Sequence, residues 1–346
     1  MVRGYFITFA IGFRSPCGSH RDQPRVNKIL AIINPISGTE NKEYIPDVIN
    51  RCLGQAGRHV VVRFTQRASH ATELTQAAIS QGFEAVIAVG GDGTVNEVAS
   101  ALRDSPVALG IVPCGSGNGL ARHLGIPLNA EKALAIIAQQ NPVSLDYCTA
   151  NEHPFFCTCG VGFDAQVSKK FAEAKKRGPI SYIQSALIEF LTYRSQTYSI
   201  EADGHVVTED AFIIACGNAS QYGNNAFITP QASIRDGLID VTVIHPFSPL
   251  DTPVMGVLLF TKHLDQASSI HTFRTSEFTI HRPKPDIMHV DGEPIMMAAD
   301  IHIKCHKAGL RVLLPDGFIE NRATLLTPIE NGFWDFINTI RAELKI

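Results

Sequence analysis

No Gly-Lys pair occurs anywhere in the sequence, which excludes the Walker phosphate loop, whose chemistry needs Gly-Lys followed by Ser or Thr. There is no Cys-x-x-Cys pair, and Cys157 and Cys159 stand too close together for a zinc knuckle. The eight cysteines (Cys17, Cys52, Cys114, Cys148, Cys157, Cys159, Cys216 and Cys305) are therefore expected to be buried, reduced thiols of a cytosolic protein. No apolar run reaches the roughly 18 residues that a membrane-spanning helix requires. A net charge of −3 leaves no basic excess for a general nucleic-acid binder. Internal repeats and low-complexity segments are absent as well. Tyr5 to Phe13 is apolar and follows Arg3, but it is short and runs into Phe13-Arg14-Ser15-Pro16-Cys17, which is neither a cleavage site nor a lipobox. Residues 1–27 are expected to form a poorly ordered extension.

What the chain does have is 45% hydrophobic residues in 346 positions, enough for two cores. The stretch Ala85-Val86-Ile87-Ala88-Val89 reads as a strand buried on both faces. It stops at Gly90-Gly91-Asp92-Gly93-Thr94, after which Val95, Val98, Ala99 and Leu102 recur at helical spacing. Glycines allow close backbone approach, and the free N–H groups of a helix start attract anions, so this turn is a candidate phosphate site. Further strands are expected at Ile29 to Ile33, ending in Asn34-Pro35-Ile36-Ser37-Gly38, at Arg58 to Phe64, ending at Thr65, and at Val107 to Val112. Helical patterns separate them, one with Ser69 as its expected cap and running through Ile79. Alternation of this kind implies parallel βαβ units with ligands at the carboxyl ends of the strands, where all these polar turns fall.

After Asn141-Pro142 the periodicity changes to short runs rich in Thr, Phe, Val and Ile, and a mainly antiparallel β domain is expected from about residue 147 to 315. Helices are expected at Ala165 to Arg177, Tyr182 to Tyr193 and Thr252 to Leu264, and one apolar run at Phe273 to Ile280 reads as a single strand.

The turn Asn34-Pro35-Ile36-Ser37-Gly38, the run Gly90-Gly91-Asp92-Gly93-Thr94-Val95-Asn96-Glu97, the loop Pro113-Cys114-Gly115-Ser116-Gly117-Asn118 and the triplet Asp291-Gly292-Glu293 appear in this order. Together they resemble the diacylglycerol kinase catalytic-domain family, which includes bacterial diacylglycerol- and sphingosine-type lipid kinases. The resemblance implies an α/β nucleotide-binding domain at 28–146, a β-rich lipid-substrate domain at 147–315, and an active site in the cleft between them. It also implies ATP held by Asn34, Pro35, Ser37, Gly38, Thr65, Gly90, Gly91, Asp92, Gly93, Thr94, Asn96 and Ser116. Asp92 would orient the metal–phosphate assembly; its plainer role is a helix N-cap. Glu293 would be the general base that takes the proton of a lipid hydroxyl, with Asp291 as its supporting carboxylate.

The stretch Pro230 to Asp240 resembles the family's magnesium turn, with Ser233, Asp236 and Leu238 at the matching positions, although an Asp-Gly hairpin would look the same. Lys169, Lys170, Lys175, Lys176 and Arg177 make either a solvated helix face or a cationic approach to anionic lipid. The segment 328–346, with Trp334, is expected to pack back on the first domain. The expected reaction is transfer of the γ-phosphoryl of ATP, with Mg²⁺, to a lipid such as diacylglycerol or a sphingoid base. A cytoplasmic protein associating peripherally with a bilayer is implied, with a homodimer left open. An NAD kinase-like enzyme and a non-catalytic nucleotide or lipid sensor are the alternatives.

Overall fold

A computed structural model describes residues 28–38, 42–55, 57–139, 141–173, 193–315, 317–318 and 320. The extension expected at 1–27, the cations Lys175 to Arg177, all but the last residue of the helix expected at Tyr182 to Tyr193, and the segment 328–346 lie outside the described residues. The chain forms two compact units. The first holds residues up to Gly115, Leu124–Ser144 and Gly309–Ile319; the second holds Ser116–His123, Leu145–Ala308 and the chain from Glu320. Relative to the expected division at Asp146, the loop 116–123 goes to the second unit and the stretch 309–319 to the first.

In the first unit β1 (Lys28–Ile33), β2 (His59–Phe64), β3 (Ala85–Gly90) and β4 (Ala108–Pro113) are parallel, in the order β2-β1-β3-β4. Every residue of β3 and β4 is buried, as their uninterrupted apolar sequences require for a sheet covered on both faces. Val86, Ile87 and Val89, with no exposed surface, each contribute about 1.5–3 kcal/mol of burial. The crossovers are α1 (Ile45–Ile49), which continues as a π-turn, α2 (His70–Ser80) and α3 (Asp92–Leu102), and α5 (Ala130–Gln139) follows a short α4 (Gly119–His123) of the second unit. Helix α3 buries Val95, Val98, Ala99 and Leu102, the residues that recur at helical spacing in the sequence.

Ser69 precedes α2 as expected, but its side chain makes no capping bond and its φ is 62°. Glu97 of α3 does that work, accepting the N–H groups of Ser69 and Ala71 at 2.9 and 3.0 Å. A carboxylate from a neighbouring helix satisfies the free donors, so the cap is tertiary rather than local.

The second unit begins in β5 (Pro142–Ala150) and continues through β6 (His153–Phe155), β7 (Thr158–Gly162), α6 (Phe163–Glu173), β8 (Gln196–Ala202), β9 (His205–Ala211), β10 (Ile213–Gly217), β11 (Ile239–Ile244), α7 (Thr252–Phe260), β12 (Ile270–Thr275), β13 (Glu277–His281), β14 (Asp286–Val290), β15 (Glu293–Met297) and β16 (Asp300–Leu313). One antiparallel sheet runs β12-β11-β10-β7-β14-β15. A second is built on β13 between β16 and β8, with β9 beyond. Val161, Ile214 and Met288 from the first meet Ile200, Phe278 and Ile303 from the second in one buried cluster, as in a sandwich. The run Phe273 to Ile280 is divided between β12 and β13, which lie in different sheets. The end of β16 enters the first unit, where Val312 pairs in parallel with Leu109 of β4.

Candidate active site

The parallel register aligns Ile33 with Phe64 and Val89, and Gly90 with Pro113, so the turns after all four strands leave one edge of the first unit's sheet. The strand order reverses direction between β1 and β3. In such sheets this switch point opens a crevice for ligands at the carboxyl ends. Asn34 spans it: its Nδ2 donates to Thr94 Oγ1 at 3.0 Å and its backbone N–H donates to Val89 O at 3.0 Å. Its Oδ1 also accepts the Ile36 N–H at 3.1 Å, which shapes the Asn34–Gly38 turn. Ser37 Oγ closes on Asn34 O, and the buried Lys42 ammonium donates to Ser37 O. Lys42 has no counterpart in the sequence reading, since nothing distinguishes it there from a surface lysine.

Gly38 has φ 65°, and a Cβ on it would stand 2.1 Å from the carbonyl oxygen of Cys114. Gly38→Ala would therefore force the first turn away from the loop after β4. Loss of nucleotide binding together with a fall in thermal midpoint is the expected outcome, measurable by ligand-induced shifts of the melting curve.

Gly90 closes β3, Gly91 is the extended N-cap of α3, and Asp92, Gly93 and Thr94 make its first turn. The plainer expectation for Asp92, that it is the cap, is replaced: Gly91 holds that position and makes no side-chain cap bond. Asp92 stands instead at the first helical position, with its carboxylate at the anion-attracting end. Asn96 accepts from Ser100 within α3, and Thr65 donates its N–H to Ile33 O at 2.9 Å just past β2. The structure thus gathers Asn34, Pro35, Ser37, Gly38, Thr65 and Gly90 to Thr94 at one sheet edge. Ser116, exposed, is the first residue of the stretch that belongs to the second unit.

Within the second unit the loop 116–123 is held closely. Gly223, with φ 122°, brings its backbone so near Gly117 that a Cβ would lie 2.9 Å away. His123 Nδ1 accepts the Ser220 N–H at 3.2 Å, so its Nε2 carries the hydrogen facing Glu320 Oε1 at 3.1 Å. Glu320 also accepts Ser233 Oγ at 2.7 Å and the Ile234 N–H at 2.6 Å. Burial works against the charge on Glu320, but the hydrogen bonds from His123, Ser233 and Ile234 outweigh it and hold the carboxyl down at about 2. Its folded value lies below its unfolded one, so the stabilisation is complete above pH about 4.5 and drains away as pH falls toward 2. Glu320→Gln should cost about 2 kcal/mol at neutral pH and flatten the acid limb of stability in that window. Urea melts from pH 2 to 7 would show it, and parallel limbs for both proteins would contradict it.

Of the magnesium candidates, Ser233 has its hydroxyl committed to Glu320. Asp236 accepts the Leu238 N–H at 3.1 Å and lies 3.8 Å from Arg274. Gly237 N–H is held by Asp146 at 2.7 Å. No group of three or more His, Cys, Asp or Glu side chains suited to a metal exists among the described residues. The donors fit Mg²⁺ in kind, being one carboxylate and backbone oxygens, but the Arg274 guanidinium shares that carboxylate.

The Asp291-Gly292 pair joins β14 to β15 with φ of 48° and 86°, a tight two-residue hairpin. The Asp291 carboxylate accepts three backbone N–H groups, from Phe156 (3.0 Å), Cys157 (2.8 Å) and Thr158 (3.1 Å). Glu293, the first residue of β15, is exposed, and its carboxylate makes no hydrogen bond among the described residues. The two carboxylates differ sharply: Asp291 is anchored in the fold, while Glu293 is open to a reactant.

On β14, two residues before Asp291, His289 is buried with Nε2 3.1 Å from Asp164 Oδ2, and Tyr222 donates its hydroxyl to the same oxygen at 2.7 Å. His289 Nδ1 has no hydrogen-bond partner among the described residues. Asp164, Tyr222 and His289 are distant in the chain, and only folding unites them. Burial also pushes the Cys148 and Cys159 thiols well above their ordinary value, so neither is a nucleophile here.

Comparison with known proteins adds to this geometry. Residues 28–150 match the diacylglycerol kinase catalytic domain, and 157–314 match the YegS C-terminal NAD kinase beta sandwich-like domain. Probable lipid kinase YegS from Shigella boydii is 31% identical over 271 residues, covering 76% of this chain and 89% of that protein. Its counterpart from Escherichia coli O6 has the same identity and coverage. In fold, the chain resembles a putative diacylglycerol kinase from Bacillus anthracis, with a TM-score of 0.73 and 21% identity over 86% of this chain and 100% of that one.

Proposed function

Because the chain belongs to the diacylglycerol kinase catalytic-domain family of lipid kinases, we propose that it transfers the γ-phosphoryl of ATP to the hydroxyl of a membrane lipid such as diacylglycerol or a sphingoid base. The observation that carries the ATP half is the switch point, where Asn34 is bonded to Thr94 and the Gly90 to Thr94 turn leads into the anion-attracting end of α3. Asn34, Pro35, Ser37, Gly38, Thr65, Gly90, Gly91, Gly93, Thr94, Asn96 and Ser116 would line the nucleotide. Asp92, at the start of α3, would orient the phosphate assembly. Mg²⁺ bound with the nucleotide would supply neutralisation of phosphate charge. A second ion at Asp236 and the backbone oxygens of Ser233 and Leu238 is part of the proposal.

In the step itself the acceptor oxygen bonds to the γ-phosphorus as the bond to the bridging oxygen breaks, ADP leaves with that electron pair, and the hydroxyl proton passes to the Glu293 carboxylate. Asp291 acts on Glu293 by fixing the hairpin that carries it. Association would be peripheral, since no helix among the described residues is long and apolar enough to cross a membrane.

The test is transfer from labelled ATP with Mg²⁺ to diacylglycerol, sphingosine, ceramide and monoacylglycerol, each in mixed micelles, with soluble NAD as a further acceptor. A labelled lipid is the expected result. Label on NAD alone would replace the acceptor class, a reading kept because the second unit matches an NAD kinase-like sandwich. Nucleotide binding with no acceptor labelled would leave a sensor.

A further inference from the structure

The strongest unassigned feature is α7 and the 3₁₀ turn ahead of it, Pro249–Asp251. The nine residues of α7, Thr-Pro-Val-Met-Gly-Val-Leu-Leu-Phe, include no charge, and Met255 is the buried one among them. A helix on a water-soluble surface normally turns polar residues outward. Here the reverse holds: Leu250, Val254 and Val257 are 87%, 59% and 57% exposed, and their spacing of four and three residues sets them along one side. Met255, Leu258 and Leu259 face the other way, into a cluster with Phe212, Ile228 and Leu264, and Leu259 O accepts the Phe227 N–H at 2.9 Å. The helix is therefore fixed to the second unit by one apolar face while presenting another to solvent.

We propose that this stripe inserts into the hydrocarbon edge of a lipid bilayer and holds the second unit at the membrane. The inference rests on the lipid-acceptor reading, which requires an enzyme that reaches a substrate dissolved in a membrane. A second copy of the chain fits the stripe poorly, because a stable dimer buries about 800 Å² per partner and three aliphatic side chains offer far less. Charge points the same way. Asp251 is the one charged residue from Pro249 to Phe260, so the stripe offers no cation to an acidic peptide or an anionic headgroup. Hydrocarbon needs no complementary side chain, and burial of Leu250, Val254 and Val257 in it is favourable by area alone.

The experiment compares the full chain with its Leu250→Ser/Val254→Ser/Val257→Ser variant by flotation with phosphatidylcholine vesicles at low and high salt. The three positions are exposed, so the variant should melt as the parent does. Parent protein should float at both salt concentrations, and the variant's partition coefficient should fall by about tenfold or more. On a short-chain, water-soluble diacylglycerol the two should turn over equally, while on vesicles the variant should be slower. Equal flotation of the two overturns the proposal, as does vesicle binding that salt abolishes, or a dimer of the parent in light scattering that the variant loses. Because flotation needs no turnover, salt-resistant binding lost in the variant supports the stripe even if no lipid is phosphorylated. Phosphorylation of the short-chain lipid with unchanged flotation keeps the kinase reading and rejects the stripe.

Discussion

Glu293→Ala should lower lipid phosphorylation by about 10²–10⁴-fold while leaving the melting temperature and nucleotide binding unchanged. The expectation follows from how little the fold asks of this side chain: Glu293 is exposed, opens β15 opposite Val290, and its carboxylate makes no hydrogen bond among the described residues. Removing an exposed carboxylate with no bonded partner costs a protein within about half a kcal/mol. Any large effect must then come from the reaction. A hydroxyl becomes a good nucleophile only as its proton leaves, and a general base acts in the transition state, so the loss should fall on kcat rather than KM. Glu293→Gln, which keeps size and removes basicity, should lose as much as the alanine variant. If the glutamine variant keeps near-normal kcat, Glu293 is not the base.

Asp291→Ala should behave in the opposite way, lowering the melting temperature by roughly 10 °C in addition to abolishing activity. Its carboxylate gathers the N–H groups of Phe156, Cys157 and Thr158, and its own N–H donates to Thr158 O at 2.8 Å. Truncation would leave three amide donors without their charged acceptor, at a joint cost of about 3–5 kcal/mol. For a folding unit in the size class of the second one, each kcal/mol moves the midpoint by about 2–4 °C. Asp291→Asn, which retains one acceptor oxygen, should fall between parent and alanine variant. Calorimetry of the three proteins, with activity on the same samples, separates an anchor from a reacting group. An alanine variant with an unchanged midpoint would show that Asp291 matters through chemistry alone.

The parallel half of the fold is legible because Ile29 to Ile33, β3 and β4 are uninterrupted apolar runs, each stopped by a polar or glycine-rich turn. The sandwich was legible in kind but not in bounds. β16 is fourteen residues long, yet its alternation reads clearly only at Ile301 to Lys304, because the backbone departs at Ala308, with φ 54°. The β12–β13 junction carries Thr275-Ser276-Glu277, with neither Gly nor Pro to mark it. Local pattern also marks Ser69 as a cap whose bonds Glu97 supplies, and the cap that is the plainer of two readings for Asp92 is occupied by Gly91. Clusters drawn from remote segments left no local trace. Glu320 meets His123 and Ser233, and Asp164 meets His289 and Tyr222, only once the chain has folded.

The return of Gly309–Leu313 to the first unit has a consequence for how the protein can be made and cut. Strand β4 receives Val312 as its neighbour from a part of the chain that the ribosome delivers only after the whole sandwich sequence has emerged. Until then the nascent first unit carries an unpaired row of N–H and C=O groups on that side, the kind of edge that recruits a stray strand from another chain. A fragment ending at residue 150, where the catalytic-domain match ends, would keep that open edge permanently. The two halves are therefore separate as units of packing but not as units of expression.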